Sequence, residues 1–150
     1  MGVAFMNLLF FLRPKQQVCF LKKHFTMRQG IEKLRQYGYS AVPVLDEDGK
    51  YCGTVSDGDF LRVILEHTDA KEWEQIPLTY LMETSNIKWN TADITAGAEE
   101  LLRLATRQNF VPVADDRGMF IGIVTRQDII RYFAGEYLKL EQEKLHEQDN

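Results

Sequence analysis

The sequence has few residues of the kinds that mark disulfide-rich, metal-binding or nucleic-acid-binding proteins. Cys19 and Cys52 are its only cysteines and form no C-x-x-C pair, so we expect two small buried thiols in a reducing compartment rather than a disulfide framework. The three histidines are scattered without metal-ligand spacing, which argues against a metal site. With a net charge of −4, the chain lacks the basic excess typical of proteins that bind nucleic acids or membrane surfaces.

Sequence patterns of common catalytic sites are also absent. The chain has no G-x-x-x-x-G-K-[ST] phosphate loop, no G-x-G-x-x-G fingerprint and no H-x-E…C-x-x-C deaminase pattern. The sequence therefore predicts no catalytic residues and no enzyme.

Long hydrophobic runs are missing except at the start, "MGVAFMNLLFFL". This stretch lacks a positive n-region and a small-residue cleavage site, and it is too short to span a bilayer. We expect it to form an N-terminal arm that packs on the rest of a cytoplasmic protein. The sequence leaves open whether translation starts at Met1 or Met6.

What the chain does contain is an internal repeat. Pro43 and Pro112 lie 69 positions apart, within "SAVPVLDEDGKYCGTVSDGDFLR" (40–62) and "NFVPVADDRGMFIGIVTRQDIIR" (109–131). Nine of these 23 aligned positions are identical, which indicates two copies of one supersecondary unit. We call the copy around Pro43 repeat 1 and the copy around Pro112 repeat 2.

Each repeat is predicted to have the order β-α-β-β-α, an α/β arrangement of the α+β kind. The first strands are predicted at "QVCFL" and "NIKWN", followed by helices at "TMRQGIEKLRQYG" and "TAGAEELLRLATRQ". Two valine-rich strands follow in each repeat, joined by hairpins with Gly49 and Gly118 in the turns. Expected boundaries are 1–69 for the arm and repeat 1, 70–135 for a short linker helix and repeat 2, and 136–150 for a charged helical tail that frays.

The repeated pattern h-P-V-h-D-x-x-G-x-x-x-G-h-h-[ST]-x-x-D resembles the CBS (cystathionine-beta-synthase) domain, and two copies resemble a CBS pair, or Bateman module. The match covers roughly residues 10–133. The resemblance implies a pseudo-twofold pair of repeats, a homodimer formed through helices, and a regulatory role without chemistry. It also implies an adenosine-containing ligand: AMP, ADP, ATP, cyclic di-AMP or S-adenosylmethionine.

Ser56 and Asp59 in repeat 1 match Thr125 and Asp128 in repeat 2, at a strand-to-helix junction. From spacing alone, Ser and Thr are candidate N-caps, and the aspartates complement the helix dipole. The same junction favours phosphate. The resemblance implies that Asp59 and Asp128 bind ribose, and that Ser56 and Thr125 lie near phosphate.

The resemblance also points to the residues before each Val-Pro-Val strand, where proteins of the family contact the base and the phosphate of the ligand. These are Ser40, Ala41, Asn109 and Phe110. His or Arg, which some family members have here, is missing, so tight binding of a triphosphate is not favoured. Phe110 is a candidate for stacking on adenine or for core packing.

The two repeats differ in charge at the strand-to-helix junction, where Asp57 of repeat 1 corresponds to Arg126 of repeat 2. An arginine attracts phosphate and an aspartate repels it. Repeat 2 is therefore the preferred site, although Arg126 could also be a surface arginine.

Two functional hypotheses follow from the sequence. The first is a sensor that binds an adenine nucleotide, with AMP or ATP favoured, and signals to an unknown protein partner. The second is a protein-interaction or dimerisation module that binds no ligand. An enzyme acting on a nucleotide is a weaker third.

Overall fold

The structure, a computed structural model, describes residues 8–149. Two short strands and two 3-10 turns precede the first long helix, and the repeats then follow one another. The elements of the first half are β1 (Arg13–Pro14), β2 (Leu21–Lys22), α1 (Met27–Tyr37), β3 (Ala41–Leu45), β4 (Tyr51–Ser56) and α2 (Asp57–Glu66). The second half contains α3 (Leu78–Glu83), β5 (Ala92–Asp93), α4 (Ala98–Ala105), β6 (Phe110–Ala114), β7 (Phe120–Thr125) and α5 (Arg126–Asp149).

Each repeat has the predicted β-α-β-β-α order: β2 to α2 form repeat 1, and β5 to α5 form repeat 2. In both, the first strand runs parallel to the second, and the second pairs antiparallel with the third. The predicted hairpins are confirmed, with Gly49 at φ 86° and Gly118 at φ 81°, where glycine carries no Cβ penalty. A register shift follows Val44 in one hairpin and Val113 in the other, so the repeats share even their irregularity.

The predicted helices form where the local signals place them. Thr26 and Gln29 make a capping box at the start of α1, and Gly38 ends the helix in the left-handed conformation. On α4, the helical spacing predicts that Ala98, Leu101, Leu102 and Ala105 face inward; three of them are buried, Leu102 is partly buried, and Leu104 is buried as well. The linker helix predicted at "LTYLM" is α3.

The predicted positions of the first strands are wrong. Within "QVCFL" (17–21), Gln17 ends a 3-10 turn (Lys15–Gln17) and only Leu21 belongs to a strand, which runs from Leu21 to Lys22. Repeat 2 has no strand over "NIKWN", and β5 occupies Ala92–Asp93. A short apolar or alternating run predicts a strand, but a strand also needs a partner at the correct register, which tertiary packing supplies. The charged tail is exposed as expected, but α5 stays helical to Asp149.

Residues 8–149 form two hydrophobic cores, and the segment before each repeat packs into the core of the other repeat. Leu8 and Phe11 of the arm (residues 8–14) lie in the core of repeat 2, where β1 extends the sheet beside β7. Ile76, Leu78 and Leu81, from the segment joining the repeats, lie in the core of repeat 1. Residues 1–7, with which the predicted N-terminal arm begins, lie outside the described part of the chain.

The two repeats meet around a pseudo-twofold axis. The backbone N–H of Tyr51 donates to the carbonyl of Gly118, and that of Phe120 donates to the carbonyl of Gly49, both at 3.0 Å. The rings of Tyr51 and Phe120 stack with centroids 6.4 Å apart. Since each residue is 69 positions from its counterpart, these contacts are reciprocal, which is what a pseudo-twofold pair requires. Across residues 8–149, none of the helices is long and apolar enough to span a membrane.

Candidate functional site

A cavity of about 620 Å³ lies between the repeats, on the side of repeat 2. Its walls are formed by residues 13–19, by the residues that lead into β3, and by β6, β7 and the first turns of α5. The apolar and thiol side chains that line it are Val18, Cys19, Ala41, Pro43, Phe110, Ile123 and Ile130. The polar and aromatic-hydroxyl residues are Arg13, Gln17, Tyr39, Ser40, Asn109, Thr125, Arg126, Gln127 and Arg131.

The cavity wall is positively charged although the whole chain is acidic. Arg13, Arg126 and Arg131 contribute to it, and no acidic residue between positions 8 and 149 is part of its lining. The Nε of Arg126 donates to the carbonyl of Ala105 at 2.7 Å, which holds this side chain against the last residue of α4. The guanidinium groups of Arg126 and Arg131 can bind an anion of phosphate type here.

The junction between β7 and α5 brings Thr125 and Asp128 together. Thr125 Oγ1 accepts the backbone N–H of Asp128 at 3.1 Å, which is the contact of a helix N-cap. The Asp128 carboxylate accepts two bonds from Arg13, from Nε at 2.6 Å and from Nη2 at 2.8 Å. These bonds from Arg13, more than any other contact, lower the pKa of Asp128 below its ordinary value. Asp128 itself is not part of the lining, but Arg13, to which it is bonded, is.

At the matching junction in repeat 1, the serine and the aspartate bond to each other. Asp59 is 4% exposed, and its Oδ2 accepts from both the backbone N–H and the hydroxyl of Ser56 at 3.0 Å. A guanidinium nitrogen of Arg62 lies 3.7 Å from the other carboxylate oxygen. Ser56 and Asp59 therefore form a buried capping box, and neither lines the cavity.

The four residues that precede the Val-Pro-Val strands meet at the cavity. Asn109 Nδ2 donates to Ser40 Oγ at 3.3 Å, and these two residues are equivalent positions of the repeats. Ala41 and Phe110 line the same wall. Phe110 is only 7% exposed, and its ring lies 4.9 Å from that of Trp89, so core packing and a cavity wall are combined in one side chain.

Several lining residues were not predicted from the sequence, Arg13 above all. The offset of 69 aligns Arg13 with Met82, and this exchange of a cation for a thioether was the signal that could have identified it. Burial raises the pKa of the Cys19 thiol, which disfavours a reactive thiolate at the cavity wall. Cys52 is exposed, so the expectation of burial is wrong for that cysteine.

Comparison with protein families gives the CBS domain twice, over residues 14–66 and 81–135. Among curated proteins, an uncharacterised protein of Methanocaldococcus jannaschii is 27% identical over 128 residues, covering 67% of this chain and 76% of that protein. The A-adding tRNA nucleotidyltransferase of Aquifex aeolicus is 27% identical over 122 residues, and the match covers 80% of this chain but 14% of that enzyme.

Solved structures show the same fold. CbpB in complex with c-di-AMP superposes with a TM-score of 0.82 at 23% identity, covering 93% of this chain and 92% of that one. CbpB of Listeria monocytogenes, also in complex with c-di-AMP, gives a TM-score of 0.76 at 22% identity, covering 89% and 98%. With two matched segments that together span most of its length, this chain belongs to the CBS-domain family.

Proposed function

We propose that this chain is a regulatory module that binds an adenosine-containing nucleotide in the cavity beside repeat 2 and signals to a partner protein without catalysing a reaction. The observation that carries the proposal is the combination of a cavity of about 620 Å³ with three arginines at its wall. Small-molecule sites typically have volumes of about 300–1,000 Å³. An acidic protein with a local concentration of positive charge in a concave site is suited to an anionic ligand.

Each part of a nucleotide has a chemical counterpart at this site. The phosphate is attracted by Arg126 and Arg131 and by the backbone N–H groups at the start of α5. The adenine ring matches the apolar wall that Phe110 and Ile123 form. We assign the ribose to Asp128, because a carboxylate accepts hydrogen bonds from two adjacent hydroxyls.

Similarity to CbpB supports the ligand class, since the two CbpB structures contain c-di-AMP, which carries adenine, ribose and phosphate groups. The candidates for this chain are AMP, ADP, ATP, cyclic di-AMP and S-adenosylmethionine. Ser40 and Asn109 provide hydrogen bonds at the cavity but no charge, so we expect a monophosphate or diester to bind more tightly than a triphosphate.

Calorimetric titration with each of these five ligands tests the proposal. We expect saturable binding of at least one, and a loss of about tenfold or more in affinity with Asp128→Ala, which corresponds to about 1.4 kcal/mol. Asp116→Ala, at an exposed hairpin position, is the control and should bind like the wild type. An absence of binding to all five ligands would refute the sensor, and hydrolysis of a bound nucleotide would indicate an enzyme.

A homodimer is the second part of the proposal, and exposed apolar side chains on α2 and α5 favour it. Leu61 and Ile130 occupy equivalent positions of the two repeats and are both exposed, as are Leu65, Tyr137 and Leu138. Exposed apolar patches of this kind mark association surfaces. Light scattering after gel filtration should give twice the mass of the chain, and Leu61→Glu should give the monomer. A dimer that binds none of the five ligands would support the interaction module instead.

A further inference from the structure

The arm is attached to repeat 2 at two places, so the backbone of Arg13 has a defined position. Arg13 pairs with Ile123, and Pro14 with Gly122, in the antiparallel contact of β1 with β7. On the other side, the ring of Tyr132 from α5 lies 4.9 Å from Phe10. The arm therefore rests on the strand and the helix that also form the cavity wall.

The Arg13 side chain bonds to both oxygens of the Asp128 carboxylate. A ribose that bound to Asp128 through its two hydroxyls would need the same two oxygens. The pair is partly open to solvent, with side-chain exposures of 43% for Arg13 and 25% for Asp128. Because the pair is partly exposed, solvent screens it, so a ligand that satisfies both partners can replace it.

We propose that Arg13 is a specificity-determining residue that exchanges Asp128 for the phosphate of the ligand and thereby selects nucleotides over nucleosides. This inference rests on the proposed function. When the ribose of a nucleotide binds Asp128, the displaced Arg13 guanidinium can bind the phosphate of the same ligand. A nucleoside displaces Arg13 and offers no anion, so it must overcome the ion pair without compensation.

Repeat 1 provides the comparison for this exchange. Met82 holds the position equivalent to Arg13, and its sulfur lies against Gly53, the counterpart of Gly122. The carboxylate of Asp59 accepts hydrogen bonds from Ser56 of its own helix cap rather than from an arginine of a distant segment. Arg13→Met therefore gives repeat 2 the residue that repeat 1 already carries, which makes it the natural test variant.

The test is calorimetric titration of the wild type and Arg13→Met with adenosine and with AMP. We expect the variant to bind adenosine about threefold to fivefold more tightly, since an ion pair of up to about 1 kcal/mol no longer competes. It should bind AMP more weakly, so that the preference for AMP over adenosine falls by about tenfold or more. Arg117→Ala, an exposed arginine of the β6–β7 hairpin, is the control and should keep the wild-type preference.

The outcomes separate this inference from the proposed function. If the wild type binds AMP but the variant weakens both ligands equally, Arg13 only holds the site together and the exchange is wrong. If the variant leaves both affinities unchanged, the exchange is also wrong while the nucleotide site stands. If the wild type binds neither ligand nor any other nucleotide, the proposed function fails and this inference fails with it.

Circular dichroism and the melting temperature of Arg13→Met show whether the variant is folded. For a variant that is unfolded, the side-chain Nε resonance of Arg13 in the wild type decides: it must shift when AMP is added, and an unmoved resonance overturns the exchange.

Discussion

A side chain at Gly122 would collide with the backbone carbonyl oxygen of Arg13, because β1 lies directly against β7 at this position. The equivalent glycine of repeat 1, Gly53, faces a side chain instead: a Cβ atom there would lie 2.8 Å from the sulfur of Met82. A flexible thioether can move aside, whereas a strand backbone cannot do so without losing its pairing.

Gly122→Ala should therefore lower the free energy of unfolding by about 1–3 kcal/mol, the usual cost of overpacking. Gly53→Ala should cost less, because Met82 can change rotamer. Urea denaturation measures both, and hydrogen exchange over residues 8–14 should accelerate only in the Gly122 variant. Equal costs for the two variants would mean that the arm is not held as described.

The two helix caps should differ in their contribution to stability. Ser56 and Asp59 form a buried reciprocal capping box, whereas Thr125 accepts the backbone N–H of Asp128 in a more exposed cap whose carboxylate is bonded to Arg13. Ser56→Ala should lower the free energy of unfolding, measured by urea denaturation, by about 1–2 kcal/mol, and Thr125→Ala should lower it by about 0.5–1 kcal/mol. A larger loss with Thr125→Ala would contradict the view that Asp59 serves structure and Asp128 serves the site.

The ion pair between Arg13 and Asp128 should give the protein a pH-dependent stability. The pKa of Asp128 is lower in the folded chain than its ordinary value. The ionised carboxylate therefore stabilises the fold at pH values above that ordinary pKa. This contribution is lost as the pH falls through the lowered pKa, where the carboxylate becomes protonated. The difference in unfolding free energy between the wild type and Arg13→Met should shrink over this acidic range. A carbon-13 titration of the Asp128 carboxyl should show its pKa rising in Arg13→Met, and an unchanged pKa would contradict the pairing.

Trp89 should report binding, because its ring lies 4.9 Å from that of Phe110 at the cavity wall. Trp73 is the only other tryptophan, and it packs against the core of repeat 1 with its indole N–H donated to the carbonyl of His67. In Trp73→Phe, addition of AMP should change the fluorescence emission. In Trp89→Phe, emission from Trp73 should stay constant, and a response confined to Trp73 would place the ligand elsewhere.

Local chemistry explains which predictions of the fold succeeded. Gly38, Gly49 and Gly118 mark a helix end and two turns because each adopts a positive φ that other residues avoid. The first strands were misplaced because neither the apolar run "QVCFL" nor the alternating run "NIKWN" specifies its pairing, which depends on β3 and β6, later in the chain. For the site, sequence comparison of the repeats grouped Thr125, Arg126 and Asp128, and it singled out Asp57 as a difference of charge. It did not identify Arg13, which comes from outside the repeated motif.

The sequence by itself determined the repeat, its element order, its turns and its caps, since each depends on residues close together in the chain. The tertiary structure alone decided which repeat receives the arm and what each aspartate contacts. Asp59 is buried within its own cap, while Asp128 meets an arginine 115 positions away. A contact over that separation depends on how two cores and a sheet edge pack, and no local pattern encodes it.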